Sequence, residues 1–116
     1  MDELNKKLAI WRFPTCEVEH FDYDNGEIRL SNRALTVPDD AFEDGIAPHF
    51  WSVGVFTQSL DACDKWLMPK LGSIVLWKAK LWAVDVSKDS PIYHAAADTL
   101  SLAFCLAVEK LIDGSK

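Results

Sequence analysis

Three cysteines and three histidines, Cys16, Cys63, Cys105, His20, His49 and His94, are the side chains best suited to covalent or metal chemistry. Hydrolysis or group transfer needs a nucleophile, a base and an orienting group that converge. Cys63 or Cys105 with His49 or His94 and an aspartate would supply such a set. Both cysteines, however, fall at helix positions expected to be buried, away from the positive environments that activate a thiolate. Metal binding would want ligands at spacings such as C-x-x-C or H-x-x-x-H, and neither spacing occurs. Asp22, Asp24 and Glu27 suggest a calcium loop, which requires a glycine at its sixth position and a glutamate at its twelfth. Counted from Asp22, the glycine is fifth and the twelfth residue is Arg33. A tight hairpin turn fits Asp24-Asn25-Gly26-Glu27 better. The residues therefore point to a non-enzymatic chain with no metal and no cofactor.

Binding chemistry is better represented. Residues 1–45 hold eleven acids and five bases, whereas residues 46–116 hold seven of each, so the whole net charge of −6 lies in the first part. Lysine and arginine are not clustered as contact with a phosphate backbone demands, which argues against direct nucleic-acid binding. A protein partner with a basic surface suits this distribution, as does simple solubility. Asp39, Asp40, Glu43 and Asp44 concentrate the charge in a proline- and glycine-punctuated stretch, with Phe42 among them as an apolar anchor. Most of the five tryptophans, Trp11, Trp51, Trp66, Trp77 and Trp82, are expected in the core. Trp51, beside the acidic stretch, is the first choice for an interface anchor. The expected partner-binding residues are thus Asp39, Asp40, Phe42, Glu43, Asp44 and Trp51.

These residues need a scaffold. A chain of 116 residues is expected to form a single globular domain over 1–116, with a modest core. No apolar run is long enough to span a bilayer, and MDELNKKLAI lacks the apolar run of a secretion signal. An odd number of widely spaced cysteines fits a reducing, cytoplasmic setting. Asp2 to Arg12 reads as a helix with Leu4, Leu8 and Trp11 on one stripe, ended by Phe13-Pro14. Cys16 to Phe21 alternates as Cys16, Val18 and His20 against Glu17, Glu19 and Phe21, and Ile28 to Leu30 returns as a second strand. Phe50 to Phe56 forms a short extended segment. Ser59 caps a helix running towards Leu71, with Leu60, Cys63 and Leu67 on one face and Pro69 distorting its last turn. Residues 73–87 read as two strands bending near Ala79-Lys80, with Trp77 across from Trp82, or as one long bent strand. Asp98 is the expected N-cap of a final helix, and Gly114 its C-cap. From Asp98 to Ile112 ten of fifteen residues are apolar, so that helix must be covered on most sides. The interspersed elements predict an α+β fold, a layered helix–sheet–helix sandwich with a small, mainly antiparallel sheet and a buried C-terminal helix.

Phe56-Thr57-Gln58-Ser59-Leu60-Asp61-Ala62-Cys63, followed by Ala97-Asp98-Thr99-Leu100-Ser101-Leu102-Ala103-Phe104-Cys105-Leu106-Ala107, resembles the phage ABA sandwich domain family. The first helix ending in Trp11 and the approach Pro48-His49-Phe50-Trp51 fit the same layout. Leu106 follows Cys105 where the family commonly has arginine, and Asp64 stands where it often has tryptophan. The resemblance implies a small phage or prophage protein with a helix–sheet–helix sandwich, and no catalytic residues to carry over. The expected function is stoichiometric binding to a protein, inhibiting a host nucleic-acid-handling or defence complex in the manner of an anti-CRISPR protein. An early accessory protein bound to a replication protein is the alternative, and a small Cys/His-dependent enzyme the second alternative. No membrane partner is expected, and a homodimer is left open.

Overall fold

The computed structural model describes residues 2–32, 42, 45, 48–89 and 91–114. Among them, α1 (Asp2–Arg12) begins with Asp2 and Glu3, acids that suit the positive end of the helix dipole. Its buried face is Leu4, Asn5, Leu8, Ala9 and Arg12, with Trp11 only half-buried, so the apolar stripe expected from the sequence is rotated to include two polar side chains. Each has a partner. Asn5 Nδ2 donates to Thr57 Oγ1 at 3.1 Å, and the Thr57 N–H donates to Asn5 Oδ1 at 3.2 Å. Arg12 Nε donates to the Trp66 carbonyl at 2.8 Å, while its guanidinium lies 4.5 Å from the centre of the Phe13 ring.

The chain then forms β1 (Cys16–Asp22), β2 (Glu27–Asn32) and β3 (Phe50–Gly54), an antiparallel sheet in that order. The β1–β2 turn is stabilised by Asp22, whose carboxylate accepts from the Asn25 N–H at 3.2 Å and from Asn25 Nδ2 at 2.7 Å. Those bonds hold the Asp22 carboxyl below its usual pKa. Gly26 closes the turn at φ 67°, in the left-handed region glycine enters freely. The strict alternation expected along β1 fails at one residue. The register slips between Val18 and His20, leaving Glu19 as an extra residue in a bulge. Val18 opposes Leu30 and Phe21 opposes Ile28, so Phe21 joins the core-facing side and His20 moves to the outer one.

Ser59 caps α2 (Leu60–Ala62), its hydroxyl accepting from the Ala62 N–H at 3.1 Å. The helix continues as a π turn over Cys63–Leu67 and a 3-10 turn over Met68–Lys70, so Pro69 alters its pitch as expected. Cys63 and Leu67 are buried, but Leu60 is exposed.

The second sheet consists of β4 (Ser73–Lys78), β5 (Trp82–Ser87) and β6 (Tyr93–Ala97), antiparallel in that order. Residues 73–87 are therefore a hairpin. Its connection is Ala79-Lys80-Leu81, one residue longer than a bend at Ala79-Lys80, and this sets Trp77 opposite Ala83 and Lys78 opposite Trp82. Gly72 lets the chain enter β4: its N–H donates to the Ser87 carbonyl at 2.8 Å, and a Cβ there would lie 2.6 Å from the Lys88 carbonyl oxygen.

Finally α3 (Leu100–Gly114) packs on β5 and β6 with one face and on α1 with another. Thr99, not Asp98, caps it: Thr99 Oγ1 accepts from the Leu102 N–H at 3.3 Å. Lys7 of α1 bridges to Glu109 at 3.3 Å and Asp113 at 3.1 Å of α3. Phe104, Cys105, Ala107 and Val108 are buried, whereas Leu102 and Leu106 are half-buried. The fold is α+β with a buried C-terminal helix on an antiparallel sheet, and the small sheet expected from the sequence is two sheets sharing one core.

Candidate protein-binding site

Of the expected partner-binding residues, Asp39, Asp40, Glu43 and Asp44 lie outside the described residues. Phe42 and Trp51 are both half-buried and belong to one aromatic cluster. Their rings meet edge to face at 5.5 Å, Phe13 stands 5.4 Å from both Trp51 and Trp66, and Phe42 is 5.8 Å from Trp66. Edge-to-face geometry of this kind strengthens packing beyond the area buried. Phe42 and Trp51 thus brace the core side of the first sheet. Among the described residues the buried Trp51 indole N–H has no hydrogen-bond partner.

The outer side of that sheet carries a groove of about 390 Å³ lined by Glu19, His20, Arg29, Phe50 and Ser52, and bordered by Leu30 and Trp51 of the opposite pleat. The Glu19 bulge and the His20–Arg29–Ser52 row across three strands place these side chains together. Arg29 pairs with Glu27 at 3.2 Å, and Glu19 accepts a hydrogen bond from the Ser31 hydroxyl. Phe50, exposed and stacked on His49 at 4.3 Å, forms an apolar rim. A guanidinium, an imidazole and a carboxylate beside an aromatic ring can hold a mixed polar and apolar side chain of a partner.

The cysteine and histidine candidates are kept apart. Cys63 and Cys105 are buried with their sulfurs 3.8 Å from each other, and Cys63 Sγ donates to the Phe56 carbonyl at 3.2 Å. The neighbouring thiol and burial push the Cys105 thiol well above its ordinary pKa. His94 is exposed on β6, where Nδ1 lies 2.7 Å from Asp85 Oδ1 directly across on β5. Ala95 and Ala97, its neighbours of opposite pleat, are the buried ones, so His94 faces away from α3 and Cys105. Among the described residues no three His, Cys, Asp or Glu side chains are placed to share a metal ion.

The most exposed apolar cluster was not singled out in the sequence. Val75, Leu76 and Trp77, consecutive on β4, are 54%, 45% and 41% exposed, and Leu81 beyond the strand is exposed too. Trp77 is the one exposed tryptophan of the five. Strand β4 ends its sheet, and among the described residues no strand pairs with its far edge. The signal that would have found it is SIVLW, a run of large apolar residues whose neighbouring strand covers only one edge. No helix among the described residues is long and apolar enough to cross a membrane. Comparison with protein-family models, curated proteins and solved structures finds no match to this chain.

Proposed function

We propose that this chain is a stoichiometric protein-binding module that inhibits a nucleic-acid-handling or defence complex, in the way small phage proteins do. The observation that carries the binding reading is β4, an edge strand with three consecutive large apolar residues exposed. Apolar surface of this kind on an open edge marks a contact site or an aggregation liability. The excess of acids in residues 1–45 supports a basic surface on the target, because opposite charge speeds encounter and orients docking. The resemblance of residues 56–63 and 97–107 to the phage ABA sandwich family supports the phage or prophage origin. A cytoplasmic target and the absence of catalysis belong to the same proposal.

The test is capture by the tagged chain from nuclease-treated bacterial lysate, followed by titration of the captured complex. The expected result is a basic nucleic-acid-binding complex whose activity is lost once the chain is equimolar. Inhibition that requires only trace amounts would indicate turnover and overturn the stoichiometric reading. Retention of a replication protein without inhibition would favour the accessory role instead.

A further inference from the structure

We infer that the free edge of β4 takes an extended partner segment, with an apolar centre and one acidic end, as an added strand. The inference rests on the protein-binding reading above and specifies its mode. An edge strand presents alternate N–H and C=O groups that another extended chain can pair. Native edges are usually blunted by proline, a bulge or charges within the strand. Between Ser73 and Trp77 β4 has none of these, and its register with β5 is unbroken. Val75 and Trp77 project on the side away from α3 and Leu76 on the other, so an added strand would meet apolar neighbours on both faces.

Charge selects the occupant. From Leu67 to Asp89 the chain has four lysines and two acids, Asp85 and Asp89, in a protein of net charge −6. Asp85 is engaged with His94. Lys78 and Lys80 are exposed at the turn end of β4, and the backbone of Lys88 lies beside its start at Gly72. A partner with carboxylates beyond one end of its apolar centre complements the ammonium groups of Lys78 and Lys80 at the turn end. A second copy of β4 does not: Ser73–Lys78 has no carboxylate to offer. Two copies would also bring together two bodies of the same net charge.

The experiment uses the whole chain and short capped peptides of alternating valine and threonine with paired glutamates at one end. Control peptides carry lysines at that end, or proline at the centre. Binding is read from the change in tryptophan fluorescence and from new strand signal in the amide infrared band. The glutamate peptide should bind at least about tenfold more tightly than the lysine peptide, and the proline peptide should not bind. The double variant Lys78→Glu, Lys80→Glu should reverse the preference while its circular dichroism stays that of the parent. Equal binding of both charged peptides, or of neither, would overturn the inference. So would a dimer by sedimentation that Val75→Lys dissociates, since a second copy would then own the edge. If the charge-reversed variant captures and inhibits its target as the parent does, strand addition fails while the binding function stands. Charge-selective peptide binding with no target captured upholds strand addition at β4 and overturns the proposed inhibition.

Discussion

Gly26 isolates one backbone cost in this fold. Its φ of 67° is left-handed, and nothing among the described residues lies within 4 Å of where a Cβ would be added. Gly26→Ala therefore creates no clash and charges only the unfavourable backbone conformation, about 1–2 kcal/mol. The urea midpoint should fall by that free energy divided by the slope, with the slope unchanged. An unshifted midpoint would mean that the turn does not need its left-handed residue. This position was legible in the sequence because Asp24-Asn25-Gly26 is local turn chemistry. Asn5 and Arg12 were not legible, since polar residues on a helix are ordinarily assigned to the solvent side. Their burial depends on Thr57 and Trp66, partners more than fifty residues away, and Ser101 adds to the first group by donating to the Thr57 carbonyl at 3.0 Å. The Glu19 bulge was hidden for a similar reason: a period-two pattern records polarity but not where a strand gains a residue.

At the scale of elements, α3 carries the largest stabilising burial. Phe104 is 1% exposed on α3, a helix that packs on β5, β6, α1 and the π turn. Phe104→Ala should cost about 3–5 kcal/mol through lost transfer energy and the cavity left behind. Leu102→Ala and Leu106→Ala remove side chains that water already reaches and should cost about 1–2 kcal/mol each. Denaturant unfolding of the three variants checks the order; equal losses would show that α3 is not oriented as described. The helix itself was readable from its wide apolar arc. Strand β6 was not, because Tyr93-His94-Ala95-Ala96-Ala97 is poor in the branched residues that mark strands. Its alanines reflect position: Ala95 and Ala97 lie buried where α3 packs. The hairpin of β4 and β5 was readable, as the favoured of two readings, but its register was not, since a turn without glycine or asparagine leaves the loop length open.

For the molecule as a whole, charge and exposed apolar surface are separated along the chain. The acids concentrate before residue 45, while the open edge with its lysines lies between 67 and 88. The first half of that arrangement was plain in the sequence, and the second needed the sheet order, which decides that β4 and not β5 stands at the edge. Sheet order has a further consequence for how the molecule comes together. In Ser73–Gly114 every element is followed in the chain by one it touches, β4 by β5, β5 by β6 and β6 by α3. In the first sheet β3 joins β2 only after the chain runs from Asn32 to Phe50. Closing the longer loop costs more entropy before any contact repays it. The C-terminal unit should therefore form early in refolding and serve as the template on which α1 and the first sheet assemble. Pulsed hydrogen exchange should find the amides of Val84, Val86 and Ala95 protected before those of Ile28 and Val53, and the reverse order would refute it. A chain growing from its N-terminus would then hold its first sheet unassembled until its last helix has been made.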